Sequence, residues 1–137
     1  MKRSTERALR AWILVLAYLV LIFGVSSIPS ASLSHTIFKV SDKVAHAAEY
    51  TGFGLLLTLA LRGSLRRAPR WAIMIAVIVL GASVGVLDEV YQLTVPGRES
   101  DVLDWMADVL GITLGLIAAV GLDAIVGRRR AAGEAAR

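Results

Sequence analysis

Four apolar runs, separated by charged and turn-forming residues, set the rhythm of this chain. Ala11 to Ile28 is 18 residues without a charge, and Trp71 to Leu87 is 17 residues that continue through "DEVYQL". A hydrocarbon core of about 30 Å takes about 20 helical residues, so these two runs reach across with little help. The other two do not. Tyr50 to Leu61 needs the preceding "DKVAHAAE", and the 14 residues from Val109 to Leu122 must start near Val102. Those two helices cross only by carrying His46, Glu49, Asp104 and Asp108 into or near the membrane. The pattern predicts helices over about 11–28, 43–61, 71–94 and 102–126. Their connections are short: about a dozen residues around "PSASLSHTIFKVS", then "RGSLRRAPR", then "TVPGRES". The fold class expected is all-α, a four-helix transmembrane bundle forming a single domain over 1–137, with no linker, repeat or low-complexity tract.

The polar residues fall on faces. Positions three, four and seven apart share a side of a helix. Asp42, His46, Glu49 and Tyr50 stand at i, i+4, i+7 and i+8; Asp88 and Gln92 at i and i+4; Asp101, Asp104 and Asp108 at i, i+3 and i+7. Gly111 and Gly115 continue the last line as a GxxxG, read as a close-packing surface, as is Gly81/Gly85. Three helices therefore each carry one polar stripe, and all three stripes lie at the same end.

Composition changes the choice of solvent. With 56% hydrophobic residues and a mean hydropathy of +0.67, the chain is too apolar for a water-soluble domain of this size. Cysteine is absent, so thiol chemistry and disulfides are excluded. The net charge of +4 does not form one basic patch, and a nucleic-acid partner is not expected. Twelve of the 15 bases precede the first run, lie between the second and third, or follow the fourth; eight of the 11 acids lie at the other end with Lys39, Lys43 and Arg98. The positive-inside rule assigns the basic end, with both termini, to the cytoplasm. The protein is thus expected as a multi-pass protein of the bacterial cytoplasmic membrane, its polar site extracytoplasmic. "MKRSTERALR" and the run after it also have signal-peptide features, but that run is longer than a usual signal core; cleavage would remove one helix and leave the others' orientation unchanged. Trp12, Trp71 and Trp105 fall near helix ends, where interfacial anchoring is the default.

Helical rise puts Glu49 about 20 Å above the inner boundary. A carboxylate at such depth must pair, hold a proton or line a wet cavity, since exposure to lipid costs upward of about 2.5 kcal/mol. Two arrangements answer this. One is a local His46–Glu49 pair at i,i+3. The other is convergence of all three stripes on one chamber with Arg98 or Lys43 as counter-charge. Pro96 and Gly97 are turn formers that place Arg98 between two acidic helix ends. There it either clamps Asp101 or Asp104 or holds a ligand through its two-pronged guanidinium.

Two stretches carry a resemblance. "DKVAHAAEY" is similar to the Asp-Lys-x-x-His-x-x-x-Tyr/Phe element of the VanZ-like membrane proteins. "DEVYQLTVPGRESDVLDWMADVLG" resembles their second element, with Glu89, Gln92, Pro96, Gly97, Arg98, Asp101, Asp104 and Gly111 in matching places. The likeness covers about Asp42 to Gly115; the first helix and the tails carry nothing diagnostic. Asp108 departs from it, standing where many members have asparagine. The resemblance implies a four-helix bacterial membrane protein, in a family whose namesake is associated with low-level resistance to the glycopeptide teicoplanin.

The functional expectation is a binding site built from Asp42, Lys43, His46, Glu49, Tyr50, Asp88, Glu89, Gln92, Arg98, Asp101, Asp104 and Asp108. Its ligand would be the head group of a lipid-linked cell-envelope precursor or a glycopeptide. The bilayer is the other partner. An alternative is an enzyme acting on such a head group through clustered carboxylates, which could work as acid and base or hold a divalent cation; another is a proton-coupled or partner protein. There is no serine elbow, HExxH or phosphate-cradling loop, and the scarcity of nitrogen and sulfur donors argues against zinc. No cofactor and no resident metal are expected.

Overall fold

The structure, a computed structural model, describes residues 2–29 and 42–135. The connection expected around "PSASLSHTIFKVS" therefore lies mostly outside the described residues. Four helices are present: α1 (Lys2–Ser26), α2 (Asp42–Ser64), α3 (Arg70–Gln92) and α4 (Val102–Ala135). No strand occurs among the described residues. Each helix contains a segment long and apolar enough to cross a membrane. The chain is a multi-pass membrane protein.

The helices differ from the expected ranges at their ends. α1 begins at Lys2 rather than near 11, and α4 runs to Ala135 rather than stopping near 126. Apolar runs mark what lies in hydrocarbon, whereas helix formers such as Arg, Glu and Ala continue the backbone beyond it. α3 stops at Gln92, short of 94, because the chain tightens there: the Thr94 and Val95 amides donate to the Tyr91 and Gln92 carbonyls. Val95 to Arg98 then forms a β-turn closed by the Arg98 amide on the Val95 carbonyl at 3.1 Å. Pro96 is its second residue, and Gly97, with φ 74°, its third; positive φ at that place is the type II geometry that favours glycine.

α2 is the central element. It packs on α1, α3 and α4, most extensively on α4. α1 lies antiparallel to it, with Tyr18 laid over Gly52 and its hydroxyl donating to the Glu49 carbonyl at 2.9 Å. α2 and α4 run parallel and touch through their backbones. A Cβ on Gly111 would strike the Ala47 carbonyl, one on Gly115 the Thr51 carbonyl, and one on Gly54 the Ile112 backbone. Small residues on both partners permit this approach. Gly81, facing the Ile112 side chain, and Gly85, facing Asp108 and Trp105, do the same for α3 against α4. The core below includes Ile22, Phe53, Leu57, Val77, Ile112 and Leu116. Val20, Trp71, Val102 and Ile117 are exposed, which suits a bundle whose surrounding solvent is hydrocarbon.

Gly115→Ala therefore forces two helix backbones apart. It is expected to destabilise the bundle by about 1–3 kcal/mol, the usual range for overpacking. Gly121→Ala, where nothing lies within 4 Å, should be neutral or gain a few tenths. Reversible unfolding in mixed detergent micelles checks both; equal effects at the two positions contradict the packing described.

Candidate polar site

The first turn of α4 organises the polar end. Asp101 caps the helix: one carboxylate oxygen accepts the Leu103 amide at 2.8 Å, and its carbonyl accepts the amides of Asp104 and Trp105. Its other carboxylate oxygen takes Lys43 Nζ of α2 at 2.8 Å, and its own amide donates to Glu89 Oε2 of α3 at 2.7 Å. One residue thus ties three helices together. Lys43 also donates to Asp104 Oδ1 at 2.9 Å. The clamp on Asp101 and Asp104 considered for Arg98 is made by Lys43 instead. The ammonium beside Asp101 holds that carboxyl below the ordinary aspartate range.

One turn deeper, His46 Nδ1 shares a 2.8 Å hydrogen bond with Asp108 Oδ1, and both side chains are buried. His46 therefore turns across to α4 rather than pairing with Glu49 on its own helix. Gln92 Nε2 donates to Asp88 Oδ2 at 3.1 Å, and these two residues are also buried. The layer is incompletely satisfied. Among the described residues, Asp88 Oδ1, Glu89 Oε1, Asp108 Oδ2 and the Tyr50 hydroxyl are buried without a hydrogen-bond partner. Tyr50 is wholly buried.

Arg98 sits at the rim. Its Nε donates to the Ile28 carbonyl at 3.2 Å, which holds the end of α1 against the α3–α4 turn. Its Nη1 is 3.9 Å from Asp42 Oδ1, and its side chain is 9% exposed. Ser27 Oγ and the Tyr91 hydroxyl, 2.8 Å apart, and an edge-on Phe23–Tyr91 contact brace the same corner.

Residues 6–123 match the VanZ/LLP1 family. This chain belongs to that family. The match takes in α1, beyond the stretch from Asp42 to Gly115 on which the resemblance rested. No curated protein and no solved structure matches the chain.

In this VanZ/LLP1 protein the fold brings Lys43, His46, Tyr50, Asp88, Glu89, Gln92, Asp101, Asp104 and Asp108 into one layer. Asp42 lies at its exposed edge, its side chain 59% exposed, and Glu49 is half-buried. The tryptophans divide. Trp71 is exposed, whereas Trp105 turns inward, its indole donating to the Ala82 carbonyl at 3.1 Å. Trp12 donates to Ser64 Oγ at 2.9 Å. Three features are not predicted by the sequence pattern. Gly54 and Gly52 are contact points of α2, for which a search for small residues on all four helices was the available signal. The third is at the opposite end, where a cavity of about 450 Å³ is lined by Thr58, Arg62, Arg70, Ile73, Leu116 and Asp123, among others. Arg62 there is paired with Asp123.

The Lys43–Asp101 pair predicts a pH signature. Because the folded-state value of Asp101 is depressed, its contribution is present above the unfolded-state pKa, near 3.9, and is lost as pH falls through the folded value. Lys43→Gln should return the Asp101 titration toward the ordinary range, read by carboxyl-carbon NMR. An unchanged Asp101 titration contradicts the assignment.

Proposed function

We propose that this VanZ/LLP1 protein binds the polar head group of a cell-envelope lipid, or an amphiphilic glycopeptide, at its charged layer. We further propose that the layer faces the extracytoplasmic side of the cytoplasmic membrane. The observation that carries the reading is the state of Arg98. Among the described cations of this end, Lys43 is committed to two carboxylates at hydrogen-bonding distance, whereas the nearest carboxylate to Arg98 is 3.9 Å away. A guanidinium held nearly buried at the rim, with a carbonyl as its close partner, keeps donors for a phosphate or carboxylate. Gln92 and Tyr50, whose amide and hydroxyl can hydrogen-bond sugar or amide groups, lie in the layer beneath. Any bearing on teicoplanin resistance, the association of the family's namesake, runs through this same site. The residues belong to one domain, proposed to span 1–137.

Sidedness draws support from charge and topology together. α2 runs antiparallel to α1 and parallel to α4, which gathers the start of α1, the α2–α3 turn and the end of α4 at one end. In the sequence, those segments and the residues flanking them carry 12 of the 15 bases. Bases on short cytoplasmic segments are the pattern that orients membrane bundles.

Native mass spectrometry of protein extracted from bacterial membranes should show a retained lipid, with Arg98→Ala lowering its occupancy about tenfold or more, as expected when a buried charge contact is cut. Retention unaffected by Arg98→Ala refutes the binding role. The chain has no cysteine, so single cysteines can be placed without background. Glu99→Cys is expected to react with an impermeant maleimide on intact cells, and Arg67→Cys only after permeabilisation. The reverse pattern overturns the orientation.

A further inference from the structure

Four acids, Asp88, Glu89, Asp104 and Asp108, are buried at the polar end, and His46 is the single buried base among the described residues. Lys43 reaches in from a half-exposed position and neutralises Asp104. The deeper carboxylates have no comparable counter-charge. A buried charge persists only if it is paired, hydrogen-bonded or bound to a metal; otherwise it takes up a proton. His46 and Asp108 satisfy each other on one side only, and the remaining oxygens of Asp88, Glu89 and Asp108 have no partner.

The geometry says what could fill that gap. One ligating atom each of His46, Glu89 and Asp108 lies within 4.8 Å of the others, and the three come from α2, α3 and α4. One small ion can contact donors so spaced. A second group, Asp42, His46 and Asp104, satisfies the same limit but includes an exposed residue. The buried group is distinguished by an observation independent of the acids. The Tyr50 hydroxyl, one turn from His46 on α2 and with no exposed surface, has no hydrogen-bond partner. A buried donor left open one turn from buried, unpartnered carboxylate oxygens is what remains when groups surround a space rather than close on one another. The chemistry of the donors narrows the occupant. Carboxylates dominate, thiolates are absent and imidazole supplies one nitrogen, a set suited to magnesium or manganese.

We propose that His46, Glu89 and Asp108 form an intramembrane binding site for a hard divalent cation of the magnesium or manganese class. The ion supplies the positive charge the layer lacks and bonds together the three helices that build it. This goes beyond head-group binding and does not depend on it.

Mn²⁺ serves as the probe because it fits the donor set and is paramagnetic. The full chain, purified in nanodiscs of phosphatidylcholine and stripped with chelator, is titrated with Mn²⁺ while the free-ion electron paramagnetic resonance signal is followed. Saturable binding of one ion per chain is expected. Glu89→Gln and Asp108→Asn should each weaken it more than about tenfold, since even outer-sphere partners of a metal are worth 10–100-fold. Glu99→Gln, a change on an exposed turn acid, should leave it unaltered. A second readout uses the unmutated protein. Trp105 adjoins Asp108 at Gly85, whereas Trp12 pairs with Ser64 at the end of α2 and Trp71 opens α3. Bound Mn²⁺ should therefore broaden the Trp105 indole N–H resonance and spare the other two. Absence of saturable binding overturns the proposal and leaves protons as the neutralising charge. Binding indifferent to both acid substitutions, or equal broadening of all three indoles, overturns it as well.

Discussion

The parallel backbone contact between α2 and α4 is the constraint on which the rest of this structure depends. Gly111 and Gly115 meet the Ala47 and Thr51 carbonyls, and Gly54 meets the backbone at Ile112. In hydrocarbon, apolar side chains gain little by leaving lipid for one another, so helices associate through close van der Waals packing and hydrogen bonds. Side chains at this seam would hold the axes apart. With glycines there, the register of the two helices is set, and Lys43 falls opposite Asp101 and Asp104 while His46 falls opposite Asp108. The polar layer follows from the packing beneath it.

That layer is a poor device for stability. Pairing ions away from water returns, at best, most of what their desolvation costs, and well-packed apolar residues of similar volume often do as well. Here the pairing is incomplete, with several carboxylate oxygens and a tyrosine hydroxyl unpartnered. Asp101 shows how the arrangement is held in spite of this. It caps α4, accepts from Lys43 and donates its amide to Glu89, so the start of one helix fixes the relative position of two others. Polar groups held this firmly inside a membrane bundle, with partners missing, are the basis of the binding role proposed for Arg98 and of the ion site proposed at His46, Glu89 and Asp108.

The two ends of the bundle solve opposite problems. At the basic end arginines are spread over a terminus, a turn and a long helical tail, and one of them, Arg62, pairs with Asp123 between α2 and α4. At the acidic end four acids, Asp88, Glu89, Asp104 and Asp108, are drawn inward and buried. Long arginine side chains can reach water from within a helix, while short aspartates cannot. An acid on a spanning segment must therefore find its partner inside the protein, on its own helix as Asp88 does with Gln92 or on a neighbouring one as Asp108 does with His46.

Much of the fold was legible along the chain. Runs such as Ala11 to Ile28 and Trp71 to Leu87 have few alternatives to spanning helices, because a backbone in lipid must bond within itself. Val95-Pro96-Gly97-Arg98 announced its turn, since proline and a positive-φ glycine suit a type II turn. Spacing also placed the acids of each helix on one face. What spacing could not decide was which face met which. His46 stands three residues from Glu49 yet bonds Asp108, 62 positions away. Lys43, rather than Arg98, holds Asp101 and Asp104. Local periodicity is a property of one helix, so the sequence alone determined spans, stripes and turn. The rotation and register of one helix against another depend on where backbones approach closest, and only the tertiary structure decided those.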